Sequence, residues 1–147
     1  MDVIGLCSDH AGFELKQFVI KWLEGHGMQY KDYGTYSEVS CDYPDYAHLL
    51  AKSMEKGECS MGVAVCGSGN GIAMTLNKHA NIRAAIAWSE ELSILARLHN
   101  DANVLVMPGR FVSQEQANVI LDAFFSTDFE GGRHLRRIEK IPCQNNK

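Results

Sequence analysis

The sequence predicts an α/β protein with a parallel β-sheet covered by helices on both faces. Short apolar segments alternate with longer amphipathic segments along the whole chain, which indicates strands that alternate with helices. The 147 residues, 46% of them hydrophobic, are enough for one buried core. Because each helix returns the chain to the start of the next strand, the strands pair in parallel. We expect one domain over residues 1–147 with about five strands.

The first half of the chain contains three predicted strands, over residues 3–9, 29–33 and 61–66. The first and third are continuous apolar runs, VIGLCSD and MGVAVC, which is typical of strands buried on both faces. The two segments between them, 11–27 and 43–57, carry apolar side chains at helical spacing. This half therefore reads as strand, helix, strand, helix, strand.

The second half continues the alternation and carries two signals for helix starts. Ser89 and Ser113 each precede an amphipathic segment, where a serine hydroxyl can accept a hydrogen bond from the first helical turn. Two glycines and three arginines follow the last long helix, and a short basic helix is expected there. The predicted elements are a helix over 70–78, a strand over 82–88, a helix over 89–100, a strand over 104–109, and helices over 113–126 and 133–140.

The residues that follow the strands are the candidates for a functional site. In open parallel sheets, ligands bind beyond the carboxyl ends of the strands. Asp9 and His10 follow the first strand, and Cys66 opens a glycine-rich loop after the third. Ser89 and Arg110 follow the fourth and fifth strands.

Composition argues against several classes of partner. A net charge of −4 and a pI near 5.8 give no basis for binding nucleic acid or an anionic membrane. The N-terminus lacks the features of a signal peptide, and no apolar run approaches the roughly 18 residues of a membrane span, so we expect a cytoplasmic protein. The cysteines are odd in number and lack zinc-like spacing, so reduced thiols and neither a metal nor another cofactor are expected.

The loop CGSGNG at 66–71 offers backbone N–H groups and a thiol to one ligand. It is not a Walker A loop, because no Gly-Lys-Ser/Thr follows, and Ile72 stands where a dinucleotide motif needs its third glycine. The N–H groups at the start of the next helix could instead hold a developing oxyanion. A thiol beside such groups can act as a nucleophile or as a base. The alternative is an inert cysteine that simply ends a buried strand.

Six blocks of the sequence, in order along most of the chain, carry a family resemblance. They are SDHAGFELK at 8–16, DYPDYA at 42–47, CGSGNGIAMTLNKH at 66–79, IRAA at 82–85, HNDANVL at 99–105 and EGGRHLRR at 130–137. Together they resemble ribose-5-phosphate isomerases of the B type, a family that also includes galactose-6-phosphate isomerase subunits. The resemblance implies a Rossmann-like three-layer α/β/α subunit. It also implies the metal-free interconversion of an aldose phosphate and a ketose phosphate through a cis-enediolate.

The resemblance further implies roles for three catalytic residues. Cys66 resembles the base that moves a proton between C1 and C2 of the sugar, and Ser68 could relay a proton between the two oxygens. His99 resembles the proton donor associated with opening the furanose ring, although a histidine near a helix end is often only a capping or surface residue. Some family members use a glutamate of this loop as the base. Residues 67–78 contain no acid, so the thiol is the only visible base.

The positions that match substrate-binding residues of the family lie at strand ends, in the glycine loop and near the C-terminus. They are Asp9, His10, Tyr43, Gly67, Ser68, Gly69, Asn70, Gly71, Asn100, Arg110, Arg133 and Arg137. If the last segment is helical, Arg133 and Arg137 share one face and could grip one phosphate together. The simpler interpretations are that Asp9 caps a helix, Tyr43 marks the turn before a proline, and the basic tail is solvated.

The resemblance also implies an assembly. The HND segment and the C-terminal arginines are expected to come from the neighbouring subunit in this family. A homodimer with shared active sites is therefore expected, with the C-terminal helix reaching the partner subunit. Whether two dimers join into a tetramer is left open.

The leading hypothesis is the interconversion of ribose 5-phosphate and ribulose 5-phosphate in the pentose phosphate pathway, and other functions stay open at this point. A relative of this activity would isomerise a hexose 6-phosphate, such as that of allose or galactose. A different class is a non-catalytic module that binds phosphate or a nucleotide, since a fold does not fix a function. A thiol redox protein would need a resolving cysteine, for which Cys59 is the nearest candidate in sequence.

Overall fold

A fully parallel five-stranded sheet forms the middle layer of the protein. The computed structural model describes residues 2–143; Met1 and residues 144–147 of the predicted domain lie outside the described residues. The strands are β1 Val3–Ser8, β2 Gln29–Asp32, β3 Met61–Cys66, β4 Ala84–Ile86 and β5 Val104–Pro108. They lie in the order β2-β1-β3-β5-β4, which confirms the predicted class of fold.

Six helices complete the described chain and cover both faces of the sheet. They are α1 Phe13–Gly25, α2 Tyr43–Glu55, α3 Asn70–Leu76, α4 Glu90–Asn100, α5 Gln114–Ser126 and α6 Arg133–Glu139. Helices α1, α4 and α5 share one apolar core with the sheet, and α2 and α3 share another on the opposite face. The protein therefore has the three layers that the sequence predicted. Within residues 2–143, no helix is both long and apolar enough to cross a membrane.

The strands read as unbroken apolar runs because successive side chains enter the two different cores. In β5, Val104 and Val106 pack toward α2 and α3, whereas Leu105 and Met107 pack toward the other helical layer. All four side chains are fully buried. Burying one such side chain contributes roughly 1.5–3 kcal/mol to folding, so both faces of the central strands hold the layers together.

The fourth strand is shorter than the 82–88 predicted from sequence, and the helix before it ends at Leu76 rather than residue 78. The Asn77 side chain explains where α3 ends and where β4 begins. Its amide donates to the carbonyl of Ala84 at 3.0 Å and accepts from the N–H of Ala84 at 2.8 Å. The Asn77 side chain thus pairs with the backbone of Ala84, the first residue of the edge strand β4. The last helix likewise ends at Glu139, one residue early.

The strand order places a topological switch point between β1 and β3. The chain moves from β1 outward to β2 on one side, and then crosses to β3 on the other side. The helices that follow these strands depart to opposite faces of the sheet, which opens a crevice at the carboxyl ends of β1 and β3. Asp9 and Cys66, which end or follow these strands, therefore lie at the position where such folds bind ligands.

Candidate active site

Five features meet at the carboxyl edge of the sheet, and we call them the switch-point site: Asp9, His10, Tyr43, Arg110 and the loop 66–71. The ends of β1 and β3 are joined directly, because the N–H of Asp9 donates to the carbonyl of Val65 at 3.3 Å. Gly12, at the start of α1, approaches the same carbonyl so closely that a Cβ atom would collide with it. The first helix can therefore begin directly against the third strand.

Asp9 is buried, with 7% of its surface exposed. One of its two carboxylate oxygens accepts a hydrogen bond from the neighbouring backbone. Oδ1 accepts the backbone N–H of Gly12 at 3.0 Å, just before the first residue of α1. The interpretation of Asp9 as a helix cap is wrong, because the N-cap of α1 is Gly12 and no described side chain caps this helix. The oxygen instead holds the turn that precedes the helix. Because a carboxylate has two oxygens, this contact leaves Oδ2 available to accept a hydroxyl group of a ligand.

His10 is held by a contact that the sequence did not indicate. The backbone N–H of Cys41 donates to Nδ1 of His10 at 3.2 Å. In the neutral ring the proton must then lie on Nε2, so His10 presents a donor to its surroundings. The Cys41 thiol lies 3.9 Å from the same nitrogen. No periodic pattern predicted that residue 41 would return to the first strand end.

The loop after Cys66 has the geometry of an anion-binding turn. Cys66 is 4% exposed, and Gly69 has a φ of 83°, a left-handed conformation that favours glycine. The Asn70 N–H donates to the Ser68 hydroxyl at 3.3 Å. Within residues 2–143, the N–H groups of Ser68 and Gly69 donate to no other group. These two N–H groups are available to a ligand next to the thiol.

Tyr43 and Arg110 border this loop from two sides. The Tyr43 ring lies against Gly71 and occupies the space that a side chain there would need. The Arg110 guanidinium lies over Gly67, 3.4 Å from where a Cβ atom of residue 67 would lie. The backbone N–H of Arg110 donates to the Gly67 carbonyl at 3.1 Å. An aromatic ring and a positive charge therefore flank the glycine loop. Glycine is required for the approach of Tyr43 at position 71, whereas a Cβ atom at position 67 would make only ordinary contact with Arg110.

A second buried thiol, Cys7, lies in the adjacent strand and differs from Cys66. Burial raises the pKa of the Cys7 thiol far above its ordinary range. The positive charge of Lys16 lowers that pKa by less than burial raises it, and the negative charge of Asp32 raises it further. Cys7 is therefore a neutral core side chain. Cys66 is also buried, with 4% of its surface exposed, but it lies at the strand end directly beside the glycine loop.

A buried lysine supports this edge of the sheet. No pattern in the sequence indicated a role for it. Lys16 is 1% exposed and donates to Asp32 Oδ1 and to the carbonyl of Thr35, each at 2.6 Å. The pair fixes the chain that leaves β2. Removing one partner of such a pair typically costs about 3–5 kcal/mol, because the other charge stays buried.

The remaining predicted site residues lie at the opposite edge of the sheet, and we call them the α4–α6 cluster: His99, Asn100, Arg133 and Arg137. Helix α4 starts after β4, at the carboxyl edge, and returns to the amino edge before β5. Its 11 residues span about 16 Å. The Asn100 carbonyl accepts from Arg83 at 3.0 Å, just before β4 begins. Within one chain, the switch-point site and the α4–α6 cluster therefore lie at opposite edges of the sheet.

The turn that carries His99 and Asn100 is fixed by two arginines that sequence reasoning missed. Asp101, with a φ of 44°, ends α4 in a left-handed conformation. Its carboxylate accepts from Arg97 at 2.9 Å and from Arg83 at 3.3 Å. Arg83 belongs to the IRAA block and Asp101 to the HNDANVL block, so both residues were part of the resemblance. Nothing in the sequence indicated that they are in contact.

Helix α6 exposes its arginines and buries a histidine. Arg133 and Arg137, four residues apart on the helix, form no ion pair within the described residues. His134 is 5% exposed, and its ring stacks on the His99 ring with centroids 4.2 Å apart. This stack joins the last helix to the end of α4, so two free guanidinium groups and His99 share one region of the surface.

Comparison with known sequences finds relatives that match nearly the whole chain. The chain matches the family described as Ribose/Galactose Isomerase over residues 4–141. It is 40% identical to ribose-5-phosphate isomerase B of Escherichia coli (strain K12) over 141 residues, which are 96% of this chain and 95% of the relative. It is 46% identical to a probable ribose-5-phosphate isomerase B of Mycoplasma pneumoniae over 139 residues, covering 94% and 91% of the two chains.

Solved structures show the same architecture. A ribose 5-phosphate isomerase from Thermotoga maritima superposes with a TM-score of 0.93 at 48% identity, covering 95% of this chain and 97% of that one. Ribose-5-phosphate isomerase B from Mycoplasma genitalium, solved with bound ribulose-5-phosphate, gives 0.90 at 40% identity, with 95% and 93% covered. The similarity thus extends over the whole sheet and its helices.

Proposed function

The chain belongs to the ribose/galactose isomerase family, and on this premise we propose that it interconverts D-ribose 5-phosphate and D-ribulose 5-phosphate. The relative from Escherichia coli is named for this enzyme, and the one from Mycoplasma genitalium was solved with ribulose-5-phosphate. The observation that carries the proposal is the position of the Cys66 thiol at the strand end, beside the available N–H groups of the glycine loop. The chain would act as one catalytic domain in the cytoplasm, in the non-oxidative branch of the pentose phosphate pathway.

In this proposal the Cys66 thiolate is the base. It removes the proton from C2 of the open-chain aldose and returns it to C1, while the C1 carbonyl oxygen becomes a hydroxyl. The C2 hydroxyl loses its proton and becomes the ketose carbonyl. A proton must therefore also pass between the two oxygens, and the exposed Ser68 hydroxyl is the group of the loop suited to relay it.

The glycine loop would hold the enediolate that forms between these two proton transfers. Negative charge develops on the sugar oxygens, and N–H groups fixed in a turn stabilise it without reorganising. Removing one such donor typically slows a reaction about 10²–10³-fold. This arrangement assigns the stabilising role to Gly67, Ser68, Gly69, Asn70 and Gly71, with no metal in any step.

Ring opening and sugar binding fall to the side chains around the loop. The free oxygen of Asp9 would accept a sugar hydroxyl, and Tyr43 would line the sugar site. His99 would donate a proton to the ring oxygen, and Asn100 would contact the sugar. The phosphate would meet arginine guanidinium groups, which bind phosphate through paired donors, and the Nε2 proton of His10. Arg110, Arg133 and Arg137 are the arginines concerned.

We further propose that the enzyme is a homodimer in which the α4–α6 cluster of one subunit completes the switch-point site of the other. The support is topological: helix α4 carries His99 to the edge of the sheet opposite Cys66. A two-fold symmetric dimer can bring opposite edges of two copies together twice, once at each site. Helix α6, with Arg133 and Arg137 exposed, would then reach the partner subunit.

The activity is tested by following the conversion of ribose 5-phosphate by the purified protein in EDTA. The proposal predicts turnover that survives EDTA and is lost in Cys66→Ala, while Cys59→Ala keeps it. Allose 6-phosphate and galactose 6-phosphate are run beside it. Turnover of a hexose phosphate alone would keep the chemistry and overturn the substrate, and no turnover of any of the three would overturn the enzyme.

A further inference from the structure

We propose that His99, Glu130 and His134 form a binding site for a divalent ion of the zinc class, and that the bound ion inhibits the enzyme. The three side chains each offer one ligand atom, and these atoms all lie within 4.8 Å of one another. The inhibitory part rests on the proposed function, because it depends on the role of His99 there. The binding part rests on the cluster alone.

The ligand atoms of the cluster are close enough together to share one metal ion. Ligand atoms on one tetrahedral zinc ion lie about 3.3 Å apart, since each bond is about 2.0–2.2 Å long. Nε2 of His134 lies 3.1 Å from Oε1 of Glu130. The His99 and His134 rings are stacked and nearly parallel, with 16° between their planes. An ion bound by both rings must lie close to both ring planes, so ligation requires one ring to turn out of the stack.

The backbone holds the three residues together before any ion binds. The N–H of Glu130 donates to the carbonyl of Leu98 at 3.1 Å, so the chain before α6 is tied to the last turn of α4. Gly131 and Gly132 follow with φ values of 77° and 59°, which reverses the chain. His134 then enters the first turn of α6 directly opposite Glu130. Residues held close together by the backbone lose less entropy on binding an ion than residues of a flexible segment.

The donor set selects the type of ion. Two imidazoles and one carboxylate are ligands of zinc and its neighbours in the transition series, whereas magnesium and calcium prefer oxygen atoms alone. Three protein ligands leave a fourth position open for water. Because Glu130 is half exposed, with 54% of its side chain accessible, an ion can enter from solvent.

A bound ion would compete with catalysis through His99. A ring nitrogen that ligates a metal cannot donate a proton to the sugar ring, so turnover falls while the thiol and the glycine loop stay intact. This mode differs from zinc capture by Cys66, which would also inhibit. The two are separated by which substitution removes binding.

Binding is measured on the full chain by calorimetric titration with zinc chloride in a non-chelating buffer, and by the visible absorption of bound cobalt(II). We expect one ion per chain, and affinity lowered by more than about tenfold in both His134→Gln and Glu130→Gln. Two controls should keep full affinity: Cys66→Ala, and His48→Gln, which removes one member of the other histidine pair, 2.7 Å from His79.

Unchanged affinity in both His134→Gln and Glu130→Gln, or affinity lost in His48→Gln or Cys66→Ala instead, would overturn the site. Inhibition is then measured with ribose 5-phosphate, each variant compared with its own activity in EDTA. Zinc should inhibit the unsubstituted enzyme, and half-inhibition of His134→Gln should need a zinc concentration at least about tenfold higher. Absent turnover in EDTA would refute the proposed function and leave the binding result standing.

Discussion

The switch-point site and the α4–α6 cluster are built from different parts of the chain. The first is largely backbone: a turn of glycines, one strand-end thiol, and a carboxylate that also holds the next turn. The second is made of side chains on two helix ends, fixed by arginine pairs and a histidine stack. Under the proposed function, the difference teaches that the fold of one subunit would fix the chemistry at carbon. Ring opening and part of the phosphate binding would depend on the partner subunit.

The largest expected effect is at the thiol. Cys66→Ala removes the proposed base, so kcat should fall by about 10⁴-fold or more, while KM changes little because the loop N–H groups and arginines remain. Steady-state kinetics with ribose 5-phosphate check this. Cys59→Ala is the matched control, because Cys59 is buried against Ser53 and Tyr33, away from the loop. Appreciable turnover in Cys66→Ala would remove the thiol from the mechanism.

The next effect is expected in the α4–α6 cluster. His99→Asn should lower kcat/KM for ribose 5-phosphate by about 10²-fold, because ring opening would lose its proton donor while the enediolate chemistry stays intact. The control is His26→Gln, a half-exposed histidine that stacks on Trp22. Equal losses in the two variants would show that the effect is not specific to the cluster.

A smaller effect is expected for phosphate binding. Arg137→Ala should raise KM by roughly tenfold or more, because a charge-assisted hydrogen bond contributes about 1.5–3 kcal/mol. The free energy of unfolding should change little, since Arg137 is exposed. Arg136→Ala, one position away on the same helix, is the control and should keep its KM. A KM for Arg137→Ala that matches this control would return α6 to a solvated basic tail.

The smallest effect on activity is expected at the buried thiol. Because the pKa of Cys7 is raised by burial, its neutral form persists across the pH range in which the protein is folded, and it should contribute to neither limb of the pH profile. Cys7→Ala should lower the free energy of unfolding by about 1 kcal/mol through the cavity it leaves. The pH dependence of kcat/KM should stay the same. A shifted limb in this variant would mean that Cys7 ionises during turnover.

Much of this architecture was predictable because it follows from periodicity. Continuous apolar strands, two serine caps and the glycine turn each have a local signal, and the structure has them where the sequence indicated. The direction of α4 was also predictable, since a helix after a parallel strand must return to the amino edge. His99 could have been assigned to that edge from sequence alone.

The rest depends on loops without a repeating pattern. The contact between Cys41 and His10 joins residues 31 positions apart through an irregular segment. The stack of His99 on His134 requires the chain reversal at two glycines, whose left-handed angles are not fixed by their neighbours. Such contacts follow from three-dimensional packing, and no one-dimensional signal announces them.

The proposed sharing of active sites between two subunits is tested most directly by mixing two inactive variants. Cys66→Ala and His99→Asn are unfolded together, refolded and assayed with ribose 5-phosphate. If each site takes Cys66 from one subunit and His99 from the other, half of the dimers are hybrids and each hybrid has one intact site. The account predicts recovery of about a quarter of the unsubstituted activity. Activity no higher than that of the separate variants would contradict it, since a site within one subunit gains nothing from mixing.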